Sequence, residues 1–254
     1  MTVASGVHPR SGIVEADPAV RFAFSEVADG NMSLTVGAVD AAARGRLAAA
    51  IRGAPTDLVF MQQVHGADVG VVGVADRGRG LRAHADGIPA VDALVTFDTD
   101  VALAVLVADC VPVVLSDPQR AVAVIHAGRG GVVSGVVLVT VAAMDSPRPD
   151  RMSAVVGPAI GGCCYEVEPE LADRVSADQP AARAVTTWGT AALDLPAAVE
   201  AQLRAAGITD VRRTGGCTRC SGPRWFSHRR APGQGRQAGA VVRSTLTASA
   251  EGAT

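Results

Sequence analysis

Apolar residues run through the middle of this chain in short blocks divided by polar turns. DLVFMQQV leads into HGAD and then VGVVGV, a spacing that predicts a β-hairpin. DALVTF, VALAVLVA, VPVVLSD and AVAVIHAG read as four further strands, separated by Asp-, Gly- or Pro-containing turns, and DPQR between the last two is a good tight turn. GGVVSGVVLVTVAAM fits a helix or a strand, because its β-branched residues pull against helix. SAVVGPAI reads as strand then loop, and GPAIGGCCYEV as strand, glycine loop, then helix. LDLPAAVEAQLRAAG carries apolar residues at helical spacing, with Gly207 as its stop. VRRTGGC and GRQAGAVVRS return to strand. Strands dominate without a regular βαβ period or internal repeat. The pattern predicts an α+β fold: one domain over residues 21–245, mixed β-sheets with flanking helices, a loose N-terminal segment at 1–20 and a tail at 246–254.

One block raises a question. VLVADCVPVVLSD, residues 105–117, has the composition of a buried strand, yet Asp109 and Cys110 sit side by side in it. A regular strand would point the two to opposite faces. Asp109 then fits either a structural carboxylate that caps a neighbouring loop or a catalytic group.

Composition narrows the classes. The chain has 254 residues, 48% of them apolar, enough to bury a sizeable core and too many for a disordered chain. Its net charge of −2 leaves no electrostatic footprint for nucleic acid or an anionic membrane. All 23 basic residues are Arg, so Schiff-base and lysine-nucleophile chemistry is excluded. No apolar signal core marks the first twenty residues, and no uninterrupted apolar run is long enough to span a bilayer. Five Cys, two of them adjacent, make a poor disulfide framework. The expectation is a cytoplasmic protein with core or functional thiols.

His65, Cys110 and His126 each lie in or just after a strand-like run, beside a small residue or a turn. Taken singly, each has a structural explanation: a buried thiol is a small hydrophobe, and a histidine at a strand end is commonly hydrogen-bonded. Taken together, two imidazoles and a thiolate suit Zn²⁺ and leave a fourth position open. CTRC, Cys217 to Cys220, resembles half a zinc knuckle, but no second Cys or His pair follows it at ligand spacing. A structural role is expected for it, with a redox pair as the lesser alternative. Cys163 and Cys164 are expected to be core or pocket-wall thiols.

QQVHGADV, VDALVTF, VADCVPVVLSD, AVIHAG, VGPAIGGCCYEV and CTRC…FSHRR…GRQAG occur in the order found in the YfiH-type family, also labelled the laccase-domain or polyphenol oxidase family. The chain resembles that family over roughly residues 20–245. The resemblance implies a single α/β domain in which His65, Cys110 and His126 hold a metal and serve catalysis; with a single such ligand set expected in the chain, one Zn²⁺ per chain is expected. It implies phosphorolysis of purine nucleosides (adenosine, inosine, methylthioadenosine) and deamination of adenosine; some bacterial members are called peptidoglycan editing factors. Arg44 matches an Arg of the family's Asn-Arg pair, with Ala43 in place of the Asn, and would suit phosphate or be a solvated helix arginine. Arg229 and Arg236, with Arg230, flank FSHRR…GRQ and could bind the same oxyanion or be surface charge.

The chain departs from the family at HAGRGG, where Arg129 stands for Trp and Gly130 for Arg, and at Thr35, which stands for Asn. A true multicopper oxidase is rejected, since five His without a His-x-His pair build at most one mononuclear site. Two further classes stay open: a metal-free hydrolase with Cys110 as nucleophile and His126 or His65 as base, and a non-catalytic protein that binds a cell-wall or other partner.

Overall fold

The computed structural model describes residues 19–244. Residues 1–18 of the loose segment expected at 1–20, and the tail expected at 246–254, lie outside the described residues. Ala19 and Val20 are buried, and Val20 opens the first strand.

In chain order the elements are β1 (Val20–Phe24), α1 (Ala43–Ala50), β2 (Leu58–Val59), β3 (Val69–Val71), β4 (Ala93–Thr96), β5 (Ala102–Val107), β6 (Val111–Asp117), β7 (Ala121–Ala127), α2 (Arg129–Val133), α3 (Val136–Ala143), β8 (Ser153–Val156), α4 (Pro169–Asp178), β9 (Arg183–Val185), β10 (Ala191–Leu193), α5 (Leu195–Ala205), β11 (Asp210–Arg213) and β12 (Gln237–Arg243). A six-stranded mixed sheet runs β11-β8-β6-β7-β4-β3, a four-stranded sheet runs β1-β12-β5-β2, and β10 pairs with β9.

Three apolar cores make four layers of these elements. Val113, Leu115, Ala123 and Ile125 of the larger sheet pack against Val136 and Val137 of α3 and Val199 and Leu203 of α5. The alternate residues Val114, Val122 and Val124 turn to the opposite face, where they meet Phe22, Phe24, Leu103, Val105 and Val241 of the smaller sheet. The far face of that sheet, with Ala102, Ala104, Ala238 and Ala240, is covered by Leu47 and Ala48 of α1. Strands β5, β6, β7 and β12 are therefore buried on both faces, which is why they read as continuous apolar runs rather than alternating ones.

The structure corrects several expectations. The hairpin across HGAD does not form: β2 pairs in parallel with β5, and β3 in parallel with β4 in the other sheet. The Val64, His65 and Gly66 amides are bonded to the Asp92 carboxylate instead, which draws this segment across the end of the sandwich. Residues 105–117 are not one strand. The chain turns at Ala108–Cys110, with Asp109 at φ +88°, and then starts β6. The ambiguous GGVVSGVVLVTVAAM is helical, as α2 and α3, kinked where Gly135 takes φ +80°. No helix follows directly on GPAIGG; Gly162–Cys164 form a turn and α4 starts only at Pro169. The DPQR hairpin joins β6 to β7 in antiparallel register, and α5 ends before Gly207 at φ +89°, both as read from the pattern.

Candidate active site

The register of the larger sheet collects one set of strand ends. Val111 faces Ala127 and Ala93 faces Ile125, so the starts of β4 and β6 lie beside the end of β7. His126 is at that end, Cys110 immediately precedes β6, and the loop carrying His65 is tied to Asp92, the residue before β4. His65, Cys110 and His126 thus converge, with their ligand atoms all within 4.8 Å of one another. The two imidazole rings meet edge to face, 4.7 Å between centroids.

Asp92 organises this cluster, and the sequence reading did not single it out. It is fully buried, accepts from the His65 and Gly66 amides at 2.9 and 2.6 Å, and lies 2.7 Å from His126 Nδ1. A buried carboxylate holding one ring nitrogen leaves Nε2 for the cleft, the arrangement that orients metal-binding histidines. The available signal was an acidic residue heading an otherwise apolar strand, in VDALVTF. Burial works against charge on Asp92, but the His126 ring and the Gly66 and His65 amides outweigh it and lower its pKa. Burial likewise opposes the Cys110 thiolate, and the two histidines reverse that, lowering its pKa to about 6. His126 is raised to about 9, against the effect of burial, by its bonds to Asp92 and Cys110. The site favours the Cys110 thiolate, an anionic ligand for a cation, and a metal that takes His126 would displace its ring proton.

The donor set fits a zinc-like ion: two nitrogens, one thiolate, a carboxylate behind one histidine, and an open side. That side is a cleft of about 530 Å³, the size class of small-molecule sites. Its wall includes Met61, Leu106, Ile160 and Tyr165, with Arg129, Arg229 and Arg236 among its polar residues. Gly130 lies against the His65 backbone: a Cβ there would stand 2.7 Å from the His65 carbonyl oxygen, so no side chain fits without moving the ligand loop. Arg129, at the family's Trp position, lines the cleft.

Asp109 does not project from a regular strand to the opposite face. Its carboxylate accepts from Thr218 Oγ1 at 2.5 Å and from the Arg229 amide at 2.7 Å, so it ties two loops together beside Cys110. Arg44 reaches the cleft wall but is buried, with Nε bonded to the Met32 carbonyl, Nη1 to the Gly80 and Leu81 carbonyls, and its guanidinium 3.8 Å from the Phe60 ring centroid. It is not a solvated helix arginine. Arg229 stacks on Tyr165 at 4.8 Å and stays exposed, while Arg236 is half-buried and bonds the Gly235 carbonyl. Among the described residues, no helix is long and apolar enough to cross a membrane.

A family profile described as multi-copper polyphenol oxidoreductase laccase matches residues 22–244. The chain is 50% identical over 190 residues to a purine nucleoside phosphorylase of Streptomyces coelicolor, covering 74% of this chain and 75% of that one. Its fold matches the crystal structure of YfiH, a hypothetical protein of Bacillus licheniformis, with a TM-score of 0.82 at 27% identity, over 93% of this chain and 97% of that one. YlmD of Geobacillus stearothermophilus superposes with a TM-score of 0.80 at 30% identity, over 94% and 98% of the two chains.

Proposed function

The chain belongs to this laccase-like family of YfiH and YlmD, and on that premise we propose that it is a metal-dependent purine nucleoside phosphorylase that also deaminates adenosine. The observation that carries the reading is the convergence of His65, Cys110 and His126 on a cleft of nucleoside size that also holds arginines. Zn²⁺ bound by the three residues would supply a Lewis acid beside the substrate.

The protein's own groups divide the remaining work. Asp92 fixes the His126 ring, and Cys110 supplies the negative ligand. Arg129, Arg229 and Arg236 provide cations for phosphate, which planar guanidinium groups bind bidentately. Arg44, with Nε and Nη1 engaged by carbonyls, holds the cleft wall in place behind them. In phosphorolysis a phosphate oxygen forms a bond to the ribose C1′ while the C1′–N9 bond breaks, and the purine leaves with that electron pair and gains a proton. In deamination water adds at the purine C6 and ammonia leaves.

The test is incubation of purified protein with adenosine, inosine and methylthioadenosine, with and without phosphate, and separation of the products by chromatography. Free purine plus ribose 1-phosphate (its methylthio derivative from methylthioadenosine), formed only with phosphate, is expected, as is inosine from adenosine without it. Absence of both products from zinc-loaded protein overturns the reading.

One observation favours a second reading. Asp92, His126 and Cys110 lie in the carboxylate–imidazole–thiol order of a cysteine hydrolase, with a lowered thiol pKa. Chelation separates the two: metal-stripped protein that keeps full activity and is labelled covalently at Cys110 is a metal-free hydrolase.

A further inference from the structure

The CTRC turn does have a second cysteine pair, and that pair precedes it in the chain. Cys163 and Cys164, in the turn after GPAIG, meet Cys217 and Cys220, and the four sulfurs all lie within 4.8 Å of one another. The expectation of a single ligand set per chain is therefore corrected. Two turns are brought together by backbone pairing: Ala159 bridges Cys217 in parallel, and the Thr218 amide donates to the Ala159 carbonyl at 3.0 Å. The Gly161 amide points at Cys217 Sγ, 3.4 Å away.

We propose that Cys163, Cys164, Cys217 and Cys220 bind one Zn²⁺ ion in a tetrahedral four-thiolate site distinct from the His65–Cys110–His126 centre. Thiolates about 2.3 Å from a tetrahedral zinc stand about 3.8 Å from one another. Cys163 and Cys220 are 3.8 Å apart. Sulfurs this close surround one ion and leave no room for the inorganic sulfides of a cluster. The site is also prepared for negative charge. Arg219, inside the CTRC turn, bonds the Cys164 carbonyl and stacks on Trp188. Binding releases the thiol protons to solvent.

The site has a structural role. Thr218, between the ligands Cys217 and Cys220, donates to Asp109, and Asp109 also accepts from the Arg229 amide next to Cys110. Zinc in the tetrad staples the two turns that carry this connection, holding the wall of the cleft without entering it.

The test is zinc content and cobalt spectroscopy on the full chain, expressed in zinc-supplemented medium and purified under reducing conditions. A His65→Ala/His126→Ala variant retains the tetrad. It is expected to carry about one zinc and, after exchange, to show the intense visible bands and thiolate-to-cobalt charge transfer of tetrahedral tetrathiolate Co²⁺. Cys217→Ser and Cys220→Ser in that background are expected to lose both. A double-histidine variant with no zinc and only the pale spectrum of hydrated cobalt overturns the proposal. So does non-reducing peptide mapping that finds Cys163 and Cys220 joined as a disulfide in most wild-type molecules. The readout needs no turnover, so it stands apart from the purine nucleoside reading.

Discussion

Asp92 and His126 are joined twice: the Asp92 carboxylate lies 2.7 Å from His126 Nδ1, and the Asp92 carbonyl accepts the His126 amide, also at 2.7 Å. The same carboxylate gathers the amides of the loop that carries His65. One buried residue therefore sets the distance between the two histidines. Asp92→Asn places an amide donor among groups that are themselves donors. We expect stability to fall by about 1–3 kcal/mol in urea unfolding. Zinc affinity at the histidine centre should fall about 10–100-fold in chelator competition, measured with the cysteine tetrad removed. Wild-type affinity in a folded Asp92→Asn protein would remove Asp92 from this role.

Cys110 is the ligand whose charge matters most. Cys110→Ala should lose the metal of this centre and all nucleoside turnover. Cys110→Asp, which can still bind zinc through oxygen, should retain part of both. Metal analysis with the cysteine tetrad removed and product chromatography on the two variants check this, and equal loss in both would argue that the sulfur itself is the nucleophile.

The exposed arginines should act on phosphate. Arg229→Ala and Arg129→Ala each remove a guanidinium from the cleft. A lost charge-assisted hydrogen bond is worth about 1.5–3 kcal/mol, so KM for phosphate should rise roughly 10–100-fold in steady-state kinetics. KM for the nucleoside should change less. An unchanged phosphate KM in both variants would place the phosphate elsewhere.

Arg44 should behave differently, because its hydrogen bonds go to the Met32, Gly80 and Leu81 carbonyls. Arg44→Ala strands those acceptors and uncovers Phe60, so the loss of stability should exceed about 1–3 kcal/mol by chemical unfolding. The variant's phosphate KM, measured below its unfolding temperature, should stay near wild type. A large rise in that KM with normal stability would make Arg44 a phosphate ligand after all.

Gly130→Ala introduces a Cβ against the His65 carbonyl. Over-packing of this kind costs about 1–3 kcal/mol, and here it pushes directly on a ligand loop. Turnover should fall more steeply than the melting temperature. Gly45→Ala, in the first turn of α1 with nothing within 4 Å of the new Cβ, is the matched control and should leave turnover unchanged.

Much of the architecture is local and was open to reading from the sequence alone. The apolar run AVAVIHAG forms a strand, DPQR closes a tight hairpin, and the spacing in LDLPAAVEAQLRAAG matches a helix that stops before Gly207, all as their local pattern predicts. His65, Cys110 and His126 were identifiable as donors because their ordered motifs resemble a family. Their convergence required the sheet register, since residues so far apart in sequence meet only through strand pairing. The tertiary structure also decided which sheet β2 and β3 join, because isolated strands of two and three residues carry no signal for their partners. It decided that the run around Asp109 and Cys110 breaks, because Thr218 and Arg229, more than a hundred residues later, supply the donors that hold the turn. And it brought Cys163 and Cys164 to CTRC: a search along the chain for a second pair after CTRC looks in the wrong direction, whereas metal-ligand geometry depends only on distance in space.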